Sequence, residues 1–177
     1  MKKIILTVAL ATLGIAANAA VANWTMDNIY SPGTTSYGEN FLVYYFDTST
    51  ISDAVATSKL SSGDVSFVSL GYAADDATDD EGYAEGRTPS IYNAGDAVNG
   101  YLVIFNNSDV SAATLAYVTS VESAVINNLG SNVSLDFGNV TGSQNASSWT
   151  TVAAPEPTSG LLLLLGMAGL ALRRKRA

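Results

Sequence analysis

The chain has 177 residues, enough for one ordinary domain once its two ends are set aside as addressing segments. It contains neither cysteine nor histidine, which excludes disulfides, thiolate metal sites, cysteine nucleophiles and histidine-based triads. Sixteen acidic residues face eight basic ones, and Lys59 and Arg87 are the only basic residues away from the two ends; so acidic a middle repels phosphate backbones and anionic lipid, which excludes nucleic acid as a partner.

The chain opens with the charged Met1-Lys2-Lys3. An apolar run follows over residues 4–17, and then two small-residue exits, Ala17-Asn18-Ala19 and Ala20-Val21-Ala22. This is the pattern of a secretory signal peptide. Residues 1–22 are therefore expected to engage the secretion machinery and to be cut after Ala19 or Ala22.

The middle reads mainly as strands. A weak candidate lies at residues 24–30. Residues 40–46, NFLVYYF, form an aromatic and β-branched run of the kind buried on both faces of a sheet. A capping pattern at Thr50-Ile51-Ser52-Asp53 then predicts a helix, with Ile51, Val55, Ala56 and Leu60 on one face and Gly63 as its stop. Residues 64–72 read as another strand. Residues 101–105, YLVIF, repeat the two-sided pattern, and 115–121 is strand-like. Residues 133–137, VSLDF, alternate as a strand with one wet face should. Short strands divided by Gly, Asn, Asp and Ser clusters, without strand–helix alternation, predict an all-β fold. The expected form is a small β-sandwich over residues 23–137 with one or two short helices.

Two features of this middle invite chemistry. Asp75, Asp76, Asp79, Asp80 and Glu81 crowd one loop that includes Gly82, and close carboxylates on a flexible backbone are what calcium prefers. The EF-hand spacing does not fit, and a solvated loop that keeps the protein soluble is the plainer reading. Tyr83 and Tyr92 fall in loop contexts, where aromatic faces can stack on sugar rings, although tyrosine also fills β-sheets. No phosphate loop, nucleophile elbow or zinc motif is present, and chance pairs among so many acids carry no specificity for glycoside hydrolysis. The expectation is a protein that is not an enzyme and needs no cofactor, calcium being the one candidate.

Residues 138–154 are rich in Ser, Thr and Asn and read as a spacer, with a final weak strand candidate at 147–152 that a spacer would rule out. The chain then ends in three parts over residues 155–177. Pro155, Glu156 and Pro157 form a stiff turn. Residues 161–172 form an apolar run shorter than the roughly 20 residues of a comfortable membrane span. Arg173, Arg174, Lys175 and Arg176 form a basic stop that belongs on the cytoplasmic side, which leaves the acidic domain outside. This order of parts resembles the PEP-CTERM sorting signal of Gram-negative bacteria. The resemblance implies recognition by an exosortase, a membrane protease that acts near the Pro-Glu-Pro motif. It also implies a transient inner-membrane intermediate held by a transmembrane-like helix, and an association with exopolysaccharide or biofilm matrix. The reading is an exported, non-enzymatic protein of the cell surface or extracellular matrix. The alternative is an exopolysaccharide-binding module assisted by calcium.

Overall fold

In the computed structural model, which describes residues 19–89, 91–128 and 132–152, the strands are β1 (Ala22–Asp27), β2 (Leu42–Asp47), β3 (Tyr72–Ala73), β4 (Ala84–Arg87), β5 (Ala97–Phe105), β6 (Leu115–Val118), β7 (Glu122–Val125), β8 (Val133–Asn139) and β9 (Thr150–Thr151), and α1 (Asp53–Ser61) follows β2. The strands form two sheets, one ordered β4-β1-β8 and the other β3-β2-β5-β6-β9, with β7 also paired to β5. The all-β sandwich expected from the strand pattern is thus the architecture found. The small sheet is mixed, since β1 runs antiparallel to β4 and parallel to β8.

Alternation decides which side chains face inward. Ala22, Trp24 and Met26 of β1, Leu135 of β8 and Ala84 of β4 turn toward Val43 and Tyr45 of β2 and Val98, Leu102 and Ile104 of β5. The Trp24 and Tyr45 rings stack across the layers with centroids 6.4 Å apart. Large side chains buried in this way each stabilise the fold by about 1.5–3 kcal/mol. Gly100 makes room for this packing, because a Cβ there would come within 2.1 Å of the Tyr45 ring.

The alternate residues of β5, Tyr101, Val103 and Phe105, lie with Phe46 on the other face of the large sheet. Ala56 and Leu60 of α1, Phe67, Val68 and Val152 cover them. Residues 101–105 are all fully buried, as the two-sided pattern predicted. The helix also forms where expected, although its cap is Ser52, whose hydroxyl accepts from the Val55 amide at 3.3 Å, two residues beyond Thr50. Beyond the C-cap Ser62, the Gly63 and Asp64 amides donate back to the Leu60 and Lys59 carbonyls, a Schellman closure that needs the positive φ of 75° at Gly63. Val55, expected on the apolar face, is 47% exposed.

Two expectations are corrected. Residues 64–72 do not form one strand. Ser66–Leu70 is a 3-10 helix, begun where the Asp64 carboxylate accepts from the Ser66 amide at 3.0 Å. Adjacent Phe67 and Val68 are both buried in the same core layer, whereas a strand would send them to opposite faces. Nor are residues 138–152 a spacer. Val140, Ser143, Trp149 and Val152 are buried, and β9 pairs with β6. The Trp149 indole donates to the Ser143 carbonyl at 2.6 Å and packs edge-on against Phe41, with centroids 5.8 Å apart. The Val152 amide donates to Thr114 at 2.9 Å. The Ser and Asn content that suggested a linker belongs to capped turns, such as Asn145 accepting from the Ser147 amide at 3.1 Å. The weak strand candidate at 147–152 is found as the two-residue β9. Residues 153 and 154, the rest of the expected spacer, lie outside the described residues.

Candidate functional site

A concavity lies where β2 gives way to α1. It is an open groove of about 460 Å³ lined by Asp47, Thr48, Ser49, Thr50, Ile91, Tyr92, Asp96, Ala97 and Asn99. Its anchor is Asp47, which ends β2 and is 9% exposed. One carboxylate oxygen accepts from the Ser49 amide at 2.8 Å and the other from the Tyr92 hydroxyl at 2.7 Å. The Tyr92 hydroxyl also lies 3.5 Å from that of Tyr45. The Thr48 amide donates to the Asn99 carbonyl at 2.9 Å, tying the turn to β5. Leaving a buried carboxylate or phenol without such partners costs about 1–3 kcal/mol, so this network specifies the turn as well as lining the groove.

Among the described residues the only ion pair is Lys59–Asp64, and none of their cations pairs with Asp47. The groove offers hydroxyls, amides and carboxylates beside Ile91, which is 45% exposed. That set suits a neutral, hydroxyl-rich ligand better than an anion. Sequence reasoning passed over Asp47 and Asn99. The available signal was an acid closing an otherwise apolar run.

Tyr92 lines this groove but is only 7% exposed, and its hydroxyl is taken by Asp47. It therefore offers no free ring face for a sugar, which corrects the expectation placed on it. Tyr83 is half-buried beside the acidic loop, with its hydroxyl donating to Glu85 at 2.6 Å. That bond to a carboxylate pushes the Tyr83 phenol up to about 12.

Asp75, Asp76, Asp79, Asp80 and Glu81 are all exposed. The loop is pinned rather than loose. Buried Thr78 accepts from the Phe41 amide at 2.8 Å, and one Asp79 oxygen accepts from the Glu81 and Tyr83 amides at 3.0 and 2.8 Å. A hollow of about 190 Å³ is lined by Asp75, Asp76, Asp79, Tyr83 and Glu85. Among the described residues no three carboxylates converge closely enough to hold a metal ion.

Ala19 and Ala22 fall at the start of the described chain, with Ala22 fully buried in β1. Pro155, Glu156, Pro157, Arg173, Arg174, Lys175 and Arg176 lie outside the described residues, as do the N-terminal apolar run and the C-terminal apolar run. No helix among the described residues is long and apolar enough to cross a membrane.

The buried phenols make alkaline pH a test of this geometry. Burial pushes Tyr45 from 10.0 up to about 12, and burial with the Tyr45 and Asp47 contacts raises Tyr92 further. A phenol whose folded pKa exceeds its unfolded value stabilises the fold fully below about pH 10, and that contribution is lost as pH rises through the folded value. Urea unfolding should therefore show stability falling between about pH 10 and 12, with tyrosinate absorbance from these residues appearing together with loss of structure. Ionisation of all nine tyrosines near pH 10 in a still-folded protein would contradict the network.

No curated protein and no solved structure matches this chain. Residues 153–176 match the family model of the PEP-CTERM protein-sorting motif. The match begins at the residue after buried Val152, so the chain joins a β-sandwich directly to a PEP-CTERM sorting motif, the signal of an exported protein sorted by an exosortase.

Proposed function

We propose that this is a non-enzymatic protein of the cell surface or extracellular matrix. A signal peptide exports it, the apolar run at 161–172 holds it briefly in the inner membrane, and an exosortase processes it at Pro155-Glu156-Pro157. The observation that carries this reading is the sorting motif at 153–176, which begins after Val152, the last described residue and a buried one. The basic stop at Arg173, Arg174, Lys175 and Arg176 orients the tail so that the acidic domain lies outside. Mass spectrometry of the protein from its host, with and without the exosortase gene, tests it. The expected result is loss of the tail near Pro155 only when the exosortase is present. An intact chain through Ala177 in both strains would contradict it.

A second reading has one observation in its favour: the polar groove beside Asp47, with hydrogen-bonding groups and an exposed Ile91, matches the chemistry of a polysaccharide segment. On a glycan array the full chain should then bind at least one neutral glycan. Ile91→Ala and Asn99→Ala should each weaken it about tenfold, or 1.4 kcal/mol. Loss through Tyr83→Ala alone would move the contact to the acidic loop, and no binding at all would remove this reading.

A further inference from the structure

The sequence holds two small-residue exits in succession, and the fold distinguishes them. Residues 20–26 form one uninterrupted alternation in which Ala20, Ala22, Trp24 and Met26 are all buried in the core between the sheets. Ala20 is 1% exposed and Ala22 fully buried. The backbone is engaged over the same stretch. Ala20 donates to the Tyr92 carbonyl at 2.7 Å and accepts from its amide at 3.3 Å. The Val21 carbonyl accepts from Val133 at 3.0 Å, and the Ala22 carbonyl accepts from Thr88 at 2.9 Å. The Ala22 amide donates to the Thr88 hydroxyl at 3.1 Å. Small residues at 20 and 22 are thus inward positions of a strand, which accounts for the second A-x-A without any protease.

The geometry points to Ala17-Asn18-Ala19 as the processing signal, with Ala20 as the first residue of the mature chain. This rests on the export reading above. Hydrolysis of the Ala19–Ala20 peptide bond by water releases residues 1–19 with the new carboxylate. It leaves an ammonium on Ala20 that can still donate to the Tyr92 carbonyl. Hydrolysis after Ala22 would remove residues 20–22, and with them two core side chains, the bridge to Tyr92 and the start of the pairing between β1 and β8. It would also leave the start of β8 without its partner in β1, the central strand of the small sheet.

The test is N-terminal sequencing and intact mass of the full chain expressed in a secreting Gram-negative host, together with an Ala19→Leu variant that spoils the first exit and spares the second. The expected wild-type N-terminus is Ala20, and the variant should accumulate as precursor bearing Met1. A wild-type N-terminus at Asn23 would overturn the assignment, as would a variant cut after Ala22 that is exported with wild-type protease resistance. Wild-type protein retaining Met1 would overturn the export reading itself, and the assignment with it.

Discussion

Strand β5 carries the constraint on which the rest of the structure depends. From Tyr101 to Phe105 every side chain is fully buried, so the sheet that contains it must be covered on both faces. One face is closed by the small sheet through Trp24, Met26 and Leu135. The other is closed by α1, the 3-10 helix at Ser66–Leu70 and Val152. Neither cover is optional, because exposing either set of aromatic and aliphatic groups forfeits about 25 cal/mol for each Å² returned to water. Each cover includes one extremity of the described unit, β1 on one face and Val152 on the other, which is why both ends are packed.

That arrangement explains which parts of the fold were legible in the sequence. The two-sided runs at β2 and β5, the alternation of β8 and the capped helix are local patterns, and each was readable from a few residues. The 3-10 helix at Ser66–Leu70 was not, because Ser, Phe, Val, Ser and Leu in that order satisfy strand propensity. The turn follows from Asp64 accepting from the Ser66 amide and from adjacent Phe67 and Val68 entering the same core layer, where the Phe67 ring lies 5.4 Å from that of Phe46. The stretch after Gly138 misled for a related reason. Its polar composition is real, but Trp149 and Val152 decide its position through contacts with Phe41 and Thr114, far away in sequence.

The candidate sites divide in the same way. The sorting motif was legible because its information is linear: a stiff turn, an apolar run and a basic stop. The acidic loop was visible as composition, yet its hydrogen bonds at Thr78 and Asp79 shape it without gathering three carboxylates among the described residues. Tyr92 illustrates the opposite error. Its loop context suggested exposure, while the fold buries it as the support of Asp47. The groove around Asp47 is assembled from the β2–α1 turn, the segment near Ile91 and the start of β5, and no local pattern joins these three pieces.

The described packing runs from Ala20 to Val152, and the sorting motif begins at the next residue. Hydrogen–deuterium exchange resolved along the chain measures those boundaries directly. Strong protection is expected from the first amides of β1 and again at the Val152 amide, at a level comparable to β2 and β5. Protection that ends near Asn139, with Trp149 and Val152 exchanging as freely as a linker, would contradict it.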